Sequence, residues 1–461
     1  MNKSVLGIDL GTSSVKILQK FKSGEIKKSR ASYDEVSPNG WWKAICQALE
    51  QLDLDDVAGI SLSSQVGTYI VNGKDVISWN DGAGVNELKV IKETYGQEIF
   101  VKEISMPHPN IVSYPIPRLK YIKDHFDKIE SICQPKDFIC EQLTGTRVTD
   151  SYSWRGLANL EKKEYSSYFL KELGISPNIL PKMIDYTDLA GYTKEIPLIK
   201  KKIPEGIPVF TGLNDYFASL LGMGVQAEGD LFDISGTSEH VGVIQKQLDV
   251  NTELVCGPYL NGNVHYGVTA SSGASIKFGM RIYENLQIDL DVMKRSNPPI
   301  FLPYLKGERA PIWNPEARGV YFGIEEDCTK EMMAYAAMEG VIFSLYHIYE
   351  TMGKPMANSM KVSGGAAVIP ILNQLKAEMF DLPVDVLEEN DTSALGAALV
   401  AAVKAGWYVD FYEAAEKNCT VSERIVPSKK HQKWMLGRYE IYKELYPALQ
   451  LQYKKLKELK S

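Results

Sequence analysis

At 461 residues the chain exceeds one ordinary hydrophobic core, and two domains are the natural expectation. Its composition, 44% hydrophobic and 24% charged, suits a globular chain able to bury two such cores. A formal net charge of -7 argues against a nucleic-acid binder, and the densest basic run, 200–202, reads as a solvated loop.

The N-terminus opens directly into a strand-like segment with no charged-then-apolar leader. The longest run of apolar and small residues, 394–403, is about half of what a membrane span needs. Six cysteines (Cys46, Cys133, Cys140, Cys256, Cys328, Cys419) lie scattered without a CxxC, which reads as reduced thiols. A cytoplasmic chain is expected, with neither membrane nor nucleic acid among its partners.

Residues 5–9 read as a buried strand and 14–20 as its hairpin partner, with Gly11 supplying a cheap positive φ between them. Helical spacing follows at 41–52, a short strand at 57–62, and helices at 116–126 and 135–143, the last stopped at Thr144-Gly145. A strand at 209–211 is expected to break at Gly212, ahead of a helix over 216–223. The glycine-dense connector GMGVQAEG at 222–229 marks a domain boundary, giving domains 1–225 and 226–461. The second half opens again with strand, turn, strand: 230–235, Gly236-Thr237-Ser238, 241–245. A long helix at 330–349, a strand at 360–363 broken at Gly364-Gly365, and helices at 371–380 and 394–405 complete the series. Two α/β domains of similar plan follow, an arrangement open to an ancient duplication or to chance similarity of short turns.

GIDLGTSSVKI (7–17) and LFDISGTSEHVGV (231–243) share one device: an aspartate on a strand, then a Gly-Thr-Ser turn. Such a bend aims successive backbone N–H groups and hydroxyls into one concavity suited to phosphate oxygens. The competing reading is an ordinary hairpin whose hydroxyls satisfy their own backbone. Occurrence in both halves favours phosphate, because a polyphosphate between domains needs a cradle on each side. The aspartates differ: Asp9 lies two residues before its glycine and Asp233 three. On a strand that difference turns the side chain to the other face, so Asp9 is expected to face a metal and Asp233 to point away or serve another role.

No G-x-x-x-x-G-K-[ST] is present, which excludes a P-loop NTPase. Gly222, Gly224 and Ala227 fit G-x-G-x-x-A but follow a helix, so the dinucleotide reading fails on context. Asp215, just past a strand and a glycine, is placed as a catalytic base or as the cap of the next helix, and one residue can do both. Gly364, Gly365 and Ala366 offer bare backbone to a nucleoside, or close helix–strand packing. The segment SSQVGTYI (63–70), with Gln65, and the triplet Trp79-Asn80-Asp81 gather amides, a carboxylate and an indole suited to a polyol, though each also fits a structural loop and Trp79 also fits a core. The histidines form no cluster, so neither a zinc site nor a histidine triad is supported.

In this order, GIDLGTSSVK, ISWNDG (77–82), EQLTGTRVTD (141–150), GLND (212–215) and DISGTS (233–238) resemble the FGGY family of carbohydrate kinases. FLPYLKGERAPIWNPEARGVYFGI (301–324), VSGGA (362–366) and SALGAALVAAVKAG (393–406) extend the resemblance over essentially the whole chain, closest to its xylulokinases and gluconokinases. The resemblance implies two actin-like (ribonuclease H-like) α/β domains, each a mixed central sheet flanked by helices, with a cleft between them. It implies ATP and Mg²⁺ as cofactors, with Asp9 organising the metal. Gly11, Thr12 and Ser13 would form the first phosphate loop, Gly236, Thr237 and Ser238 the second, and Gly364, Gly365 and Ala366 the nucleoside site. Asp215 would be the base for the attacking hydroxyl, and Gln65, Trp79, Asn80, Asp81 and Asn214 would line the sugar site. Homodimerisation is one candidate assembly.

The resemblance has departures. Where xylulokinases read GQMHG, this chain has Ser64-Gln65-Val66-Gly67-Thr68; their WNDGR ends in Ala83; and Trp154 and Arg155 replace small residues. The leading expectation is an ATP-dependent kinase acting on a primary hydroxyl of a ketopentose such as xylulose. Gluconate or another sugar acid or polyol is the alternative, with Arg155 a candidate carboxylate partner or a member of a surface or structural ion pair. From a different class stands a nucleotide and sugar sensor without turnover.

Overall fold

The structure, a computed structural model, describes residues 3–236, 238–250, 253–284 and 287–459. It contains two compact units, Met1–Gly224 with Asp391–Cys419, and Val225–Asn390 with Thr420–Ser461. A division into consecutive halves at 225 therefore misses one segment, 391–419, that returns to the first unit. The reason is packing: the helix Thr392–Lys404 lies on the first unit's sheet.

The first unit is built on a six-stranded sheet. Its order is Leu189–Tyr192, Pro208–Asn214, Val57–Ser64, Ser4–Leu10, Ser14–Phe21, Ile26–Ser32. The three strands ending in Leu10, Ser64 and Asn214 run parallel, and the remaining pairings are antiparallel. All seven residues of Ser4–Leu10 are buried, as a central strand covered on both faces requires. One face packs Ile8, Ile17 and Leu62 with Trp41, Ile45 and Leu49 of the helix Pro38–Leu49, whose N-terminus Ser37 caps. On the other face, a Cβ at Gly7 would lie 2.0 Å from Ala394 O, so the returning helix touches the strand backbone. A separate apolar cluster, including Tyr69, Phe100, Leu119 and Trp154, surrounds a three-stranded sheet formed by Tyr69–Val71, Asp75–Ile77 and Ile132–Cys133.

The second unit repeats the plan. Its seven strands run Val255–Tyr259, Gly262–Val268, Glu239–Gln245, Leu231–Ser235, Met360–Gly364, Val384–Leu387, Val421–Ile425. Leu231–Ser235, Met360–Gly364 and Val384–Leu387 are parallel, and the rest antiparallel. Setting the extra Val255–Tyr259 strand aside, order and direction match the first unit strand for strand. Among the described residues no helix is long and apolar enough to cross a membrane.

The segment 209–211 does not break at Gly212; the strand continues to Asn214. Phe210 pairs with Ser61 and Leu213 with Ser63, so Thr211 and Gly212 together oppose Leu62 as a bulge. Gly212 takes φ 70°, and a Cβ there would meet Leu62 O at 1.9 Å. Gly11, in contrast, does not use a positive φ: its N–H donates to Ser14 O at 3.0 Å and closes a three-residue connection.

The helices Asp215–Gly222 and Thr392–Lys404 cross in backbone contact. A Cβ at Gly396 would sit 1.8 Å from Ala218 O, and one at Gly222 2.0 Å from Thr392 O. Gly396→Val is expected to destabilise the first unit by about 3 kcal/mol or more, because neither backbone can retreat from its sheet. Chemical denaturation monitored by hydrogen exchange over 215–222 measures it.

Candidate active site

In the first unit the catalytic candidates gather at the carboxyl ends of the three parallel strands, where open α/β sheets bind ligands. Asp9 sits one residue before the end of its strand, buried, opposite Lys16 and Ser63. Its carboxylate accepts from Ser63 Oγ at 2.9 Å and Ser393 Oγ at 2.6 Å. Burial raises its pKa despite these two hydroxyls and the charge of Lys16. Beside it, Lys16 pairs with Asp391 at 2.7 Å. Thr12 and Ser13 are exposed on the turn, while Gly11 O accepts from Tyr33 Oη at 2.6 Å.

Asp215 is the first residue of its helix, directly past the bulged strand. Its carboxyl accepts the N–H of Tyr216 at 2.8 Å. Burial, then the nearby charge of Asp9, pushes its pKa up to about 7. The capping role falls to its neighbour: Asn214 Oδ1 accepts from Phe217 N–H at 3.0 Å, and Nδ2 donates to Tyr152 O at 2.8 Å. Asn214, expected to touch sugar, thus has both ends of its amide engaged within the protein. Asp215 is left without the cap's duty.

Gln65 is buried, and its N–H donates to Leu10 O at 2.9 Å, placing it against the end of the Asp9 strand. Two residues on, Gly67 N–H donates to Gln134 Oε1 at 3.3 Å. Trp79 is half-buried and its N–H donates to Thr68 Oγ1 at 3.1 Å, so the 65–68 and 79–81 loops are tied together. Asn80 and Asp81 are exposed, with Asp81 Oδ1 accepting from Ala83 N–H at 2.7 Å. Arg118, fully buried, donates to Ser78 O and Asp81 O, each at 2.8 Å, and anchors that loop from beneath. Arg155 is not at the surface: it is buried, with its guanidinium 5.2 Å from the Phe217 ring centroid.

In the second unit, Ser235 joins two of the expected segments. Its carbonyl accepts from Gly365 N–H at 3.0 Å, and its hydroxyl from Ala366 N–H at 2.9 Å. Gly236 is exposed and Ser238 half-buried, next to Gly364 and the exposed Gly365; Thr237 lies outside the described residues. Gly364 adopts φ 94°, and a Cβ there would meet Ser235 O at 2.1 Å. Ala366, whose N–H is already engaged, lines this corner only through its small side chain. Asp233 turns to the sheet's other side and pairs with Lys376, which also reaches Glu239 at 2.8 Å. The hairpin registers explain it: Leu10 and Ser235 are the equivalent last residues, so Asp9 corresponds to Ile234.

Two family profiles cover most of the chain: "FGGY family of carbohydrate kinases, N-terminal domain" over residues 4–222, and the corresponding C-terminal domain over 232–405. The chain belongs to the FGGY family of carbohydrate kinases. This FGGY kinase is 28% identical to a xylulose kinase of Lactococcus lactis, over 96% of both chains. It is 26% identical to a gluconokinase of Bacillus subtilis, covering 98% of this chain and 97% of that one. Its fold matches a gluconate kinase structure from Lactobacillus acidophilus with TM-score 0.87 over 99% of this chain, at 24% identity. A ligand-bound xylulose kinase structure from the same organism gives 0.85 over 98%. The protein is a phosphotransferase with the actin-like, two-domain fold of its family, acting on a sugar with ATP.

Two serines that open the SSQVGTYI and SALGAALVAAVKAG segments, Ser63 and Ser393, bond to Asp9, a contact not expected from the sequence. Ser63 holds Asp9 through strand register, and Ser393 does so from 384 residues further along the chain. The first could be found from period-2 alternation of the strand; the second has no local signal. Among the described residues no group of three metal-ligating side chains exists. A nucleotide-bound Mg²⁺ does not need one, since it keeps waters and phosphate oxygens and takes one or two carboxylates. Asp9, oriented by two hydroxyls that occupy one acceptor site on each oxygen, fits that requirement.

Proposed function

We propose that this FGGY kinase transfers the terminal phosphoryl group of ATP to a primary hydroxyl of a small sugar, a ketopentose such as xylulose. The observation that carries the proposal is Asp215. Its carboxyl lies past the end of a parallel strand, relieved of capping by Asn214, with a pKa pushed up to about 7. A general base works best when its pKa lies near the operating pH. Asp215 takes the hydroxyl proton as the sugar oxygen bonds to phosphorus and the bond to the departing ADP breaks.

The Gly11–Ser13 turn, with Thr12 and Ser13 exposed, and the described Gly236 and Ser238 supply backbone and hydroxyl donors to phosphate oxygens. Gly364, Gly365 and Ala366 leave room for the nucleoside, and Asp9 would hold Mg²⁺, which would neutralise phosphate charge when bound. Gln65, Trp79, Asn80 and Asp81 are assigned to the sugar. Xylulose kinases and gluconokinases among the relatives support both a ketose and a sugar acid. One observation favours the second substrate class: the buried Arg155 cation lies against Phe217, two residues past Asp215.

ADP release measured over pentuloses, hexuloses, polyols and aldonates decides between them. Stimulation by xylulose at least tenfold above any aldonate is expected; preference for an aldonate transfers the assignment to the sugar acid. Stimulation by none of them overturns the proposed acceptor class.

A further inference from the structure

Asp215 emerges from a strand that carries one extra residue. The bulge at Thr211 and Gly212 shifts everything after it by one position, and so decides on which side Asn214 and Asp215 leave the sheet. A bulge in a parallel sheet needs its backbone groups satisfied elsewhere. Thr211 N–H donates to Asp188 O at 3.2 Å and Gly212 N–H to Tyr186 O at 2.8 Å. Thr211 O accepts from a side chain, Lys136 Nζ, at 3.0 Å.

Lys136 and its partner Asp150 are both buried, 1% and 0% exposed, with Nζ 2.8 Å from Oδ2. Nothing in the proposed chemistry uses them, and an ion pair so deep is costly to keep for stability alone. The pair has contacts on both sides of the bulge. Asp150 Oδ1 accepts the N–H groups of Tyr152 and Ser153, at 2.8 and 3.0 Å, which fixes the turn they form. Tyr152 O then accepts from Asn214 Nδ2 at 2.8 Å. A closed bracket results: Thr211, Lys136, Asp150, Tyr152, Asn214. Its two ends are the residues four and one before Asp215.

We propose that the buried Lys136–Asp150 pair is a positioning device for the general base, holding the bulge in the register that aims Asp215. The inference rests on the reading of Asp215 as base. Lys136 and Asp150 touch no substrate; they act through Thr211 and Asn214.

The test removes both charges together, since losing one would strand the other: Lys136→Met with Asp150→Asn. A folded double variant is expected to keep its KM for ATP within about twofold, and to lose kcat by about tenfold to a hundredfold, the cost of a misplaced catalytic group. The acid limb of its kcat profile should move to lower pH, as a displaced Asp215 loses the burial that chiefly raises its pKa and, secondarily, the neighbourhood of Asp9. Asn214→Ser gives a second route should the double variant not fold. Serine can still cap the helix but is too short to hold Tyr152 O, and the same fall in kcat and shift of the limb are expected. Native kcat with an unmoved limb in either folded variant overturns the bracket. Asp215→Asn in the otherwise native chain separates the two ideas. If it abolishes transfer while the bracket variants are native-like, only the bracket falls; if it turns over normally, the base assignment falls and the bracket with it.

Discussion

Asp215→Asn is expected to lower kcat by about a hundredfold to ten-thousandfold, the range that one positioned proton acceptor contributes. ATP and sugar affinity should remain, because the helix cap is Asn214, which the substitution leaves in place on Phe217 and Tyr152, and an asparagine oxygen can still accept the Tyr216 N–H. Steady-state turnover together with calorimetric binding separates these effects. In the unsubstituted enzyme, kcat should fall as pH drops through about 7, since the base must be ionised to accept a proton. The same shift has a thermodynamic side. A carboxyl whose folded pKa lies above its unfolded value of 3.8 makes the native state bind the extra proton between those pH values. Stability is therefore lost as pH rises from about 4 to about 7, and Asp215→Asn restores it. At pH 8 the variant should be more stable by on the order of 1–3 kcal/mol after allowance for solvent screening, with the gain vanishing near pH 4. Native turnover in the variant would end the assignment of Asp215 as base.

Lys376→Met is expected to be the most damaging single change to the second unit. Lys376, on the helix Pro370–Phe380, is 1% exposed and is the cation between Asp233 and Glu239, themselves 0% and 1% exposed. Burial and the charge of Glu239 raise the Asp233 pKa well above the carboxylate range; at Glu239 burial is opposed by the Lys376 charge and by hydrogen bonds from Asp233, Lys376 and Ser272, which together lower its pKa. Removing the cation leaves two carboxyls facing each other in a dry interior. A loss of about 3–5 kcal/mol follows from breaking such a cluster by one member. Guanidinium unfolding followed by hydrogen exchange over 231–245 would show it. Adding Asp233→Asn and Glu239→Gln should recover most of the loss; no recovery would mean that the lysine acts through packing. Glu239 opens the strand after the second turn and also accepts from Ser272 Oγ, so the variant should weaken ATP binding too.

What local sequence encodes was legible. Alternating and continuous apolar runs gave the strands that flank both turns, and Thr144-Gly145 gave a helix end that the structure caps with Gly145 in the left-handed region. The spacing of Asp9 and Asp233 from their glycines sufficed to separate them, since register in a hairpin depends only on counting. The bulge at Gly212 was read as a strand end, because glycine signals both and only the partner strand distinguishes them. For Arg155 the sequence left surface and buried placements open, and its burial beside Phe217 is a tertiary contact with no local signal. Ser393 on Asp9, and Lys136 on both Thr211 and Asp150, join positions far apart in the chain, and no periodicity reports such pairings.

The return of 391–419 to the first unit has a consequence for how the protein is made. Until residues 392–404 have been made, the sheet containing Gly7 lacks the helix that covers it. The intervening residues 225–390 form most of another compact unit. At about 5–20 residues per second, that wait lasts roughly ten seconds to half a minute. During it the nascent first unit carries a bare apolar face and an Asp9 without Ser393. Chaperone engagement should therefore peak on chains stalled before 391 and decline once 392–404 has emerged.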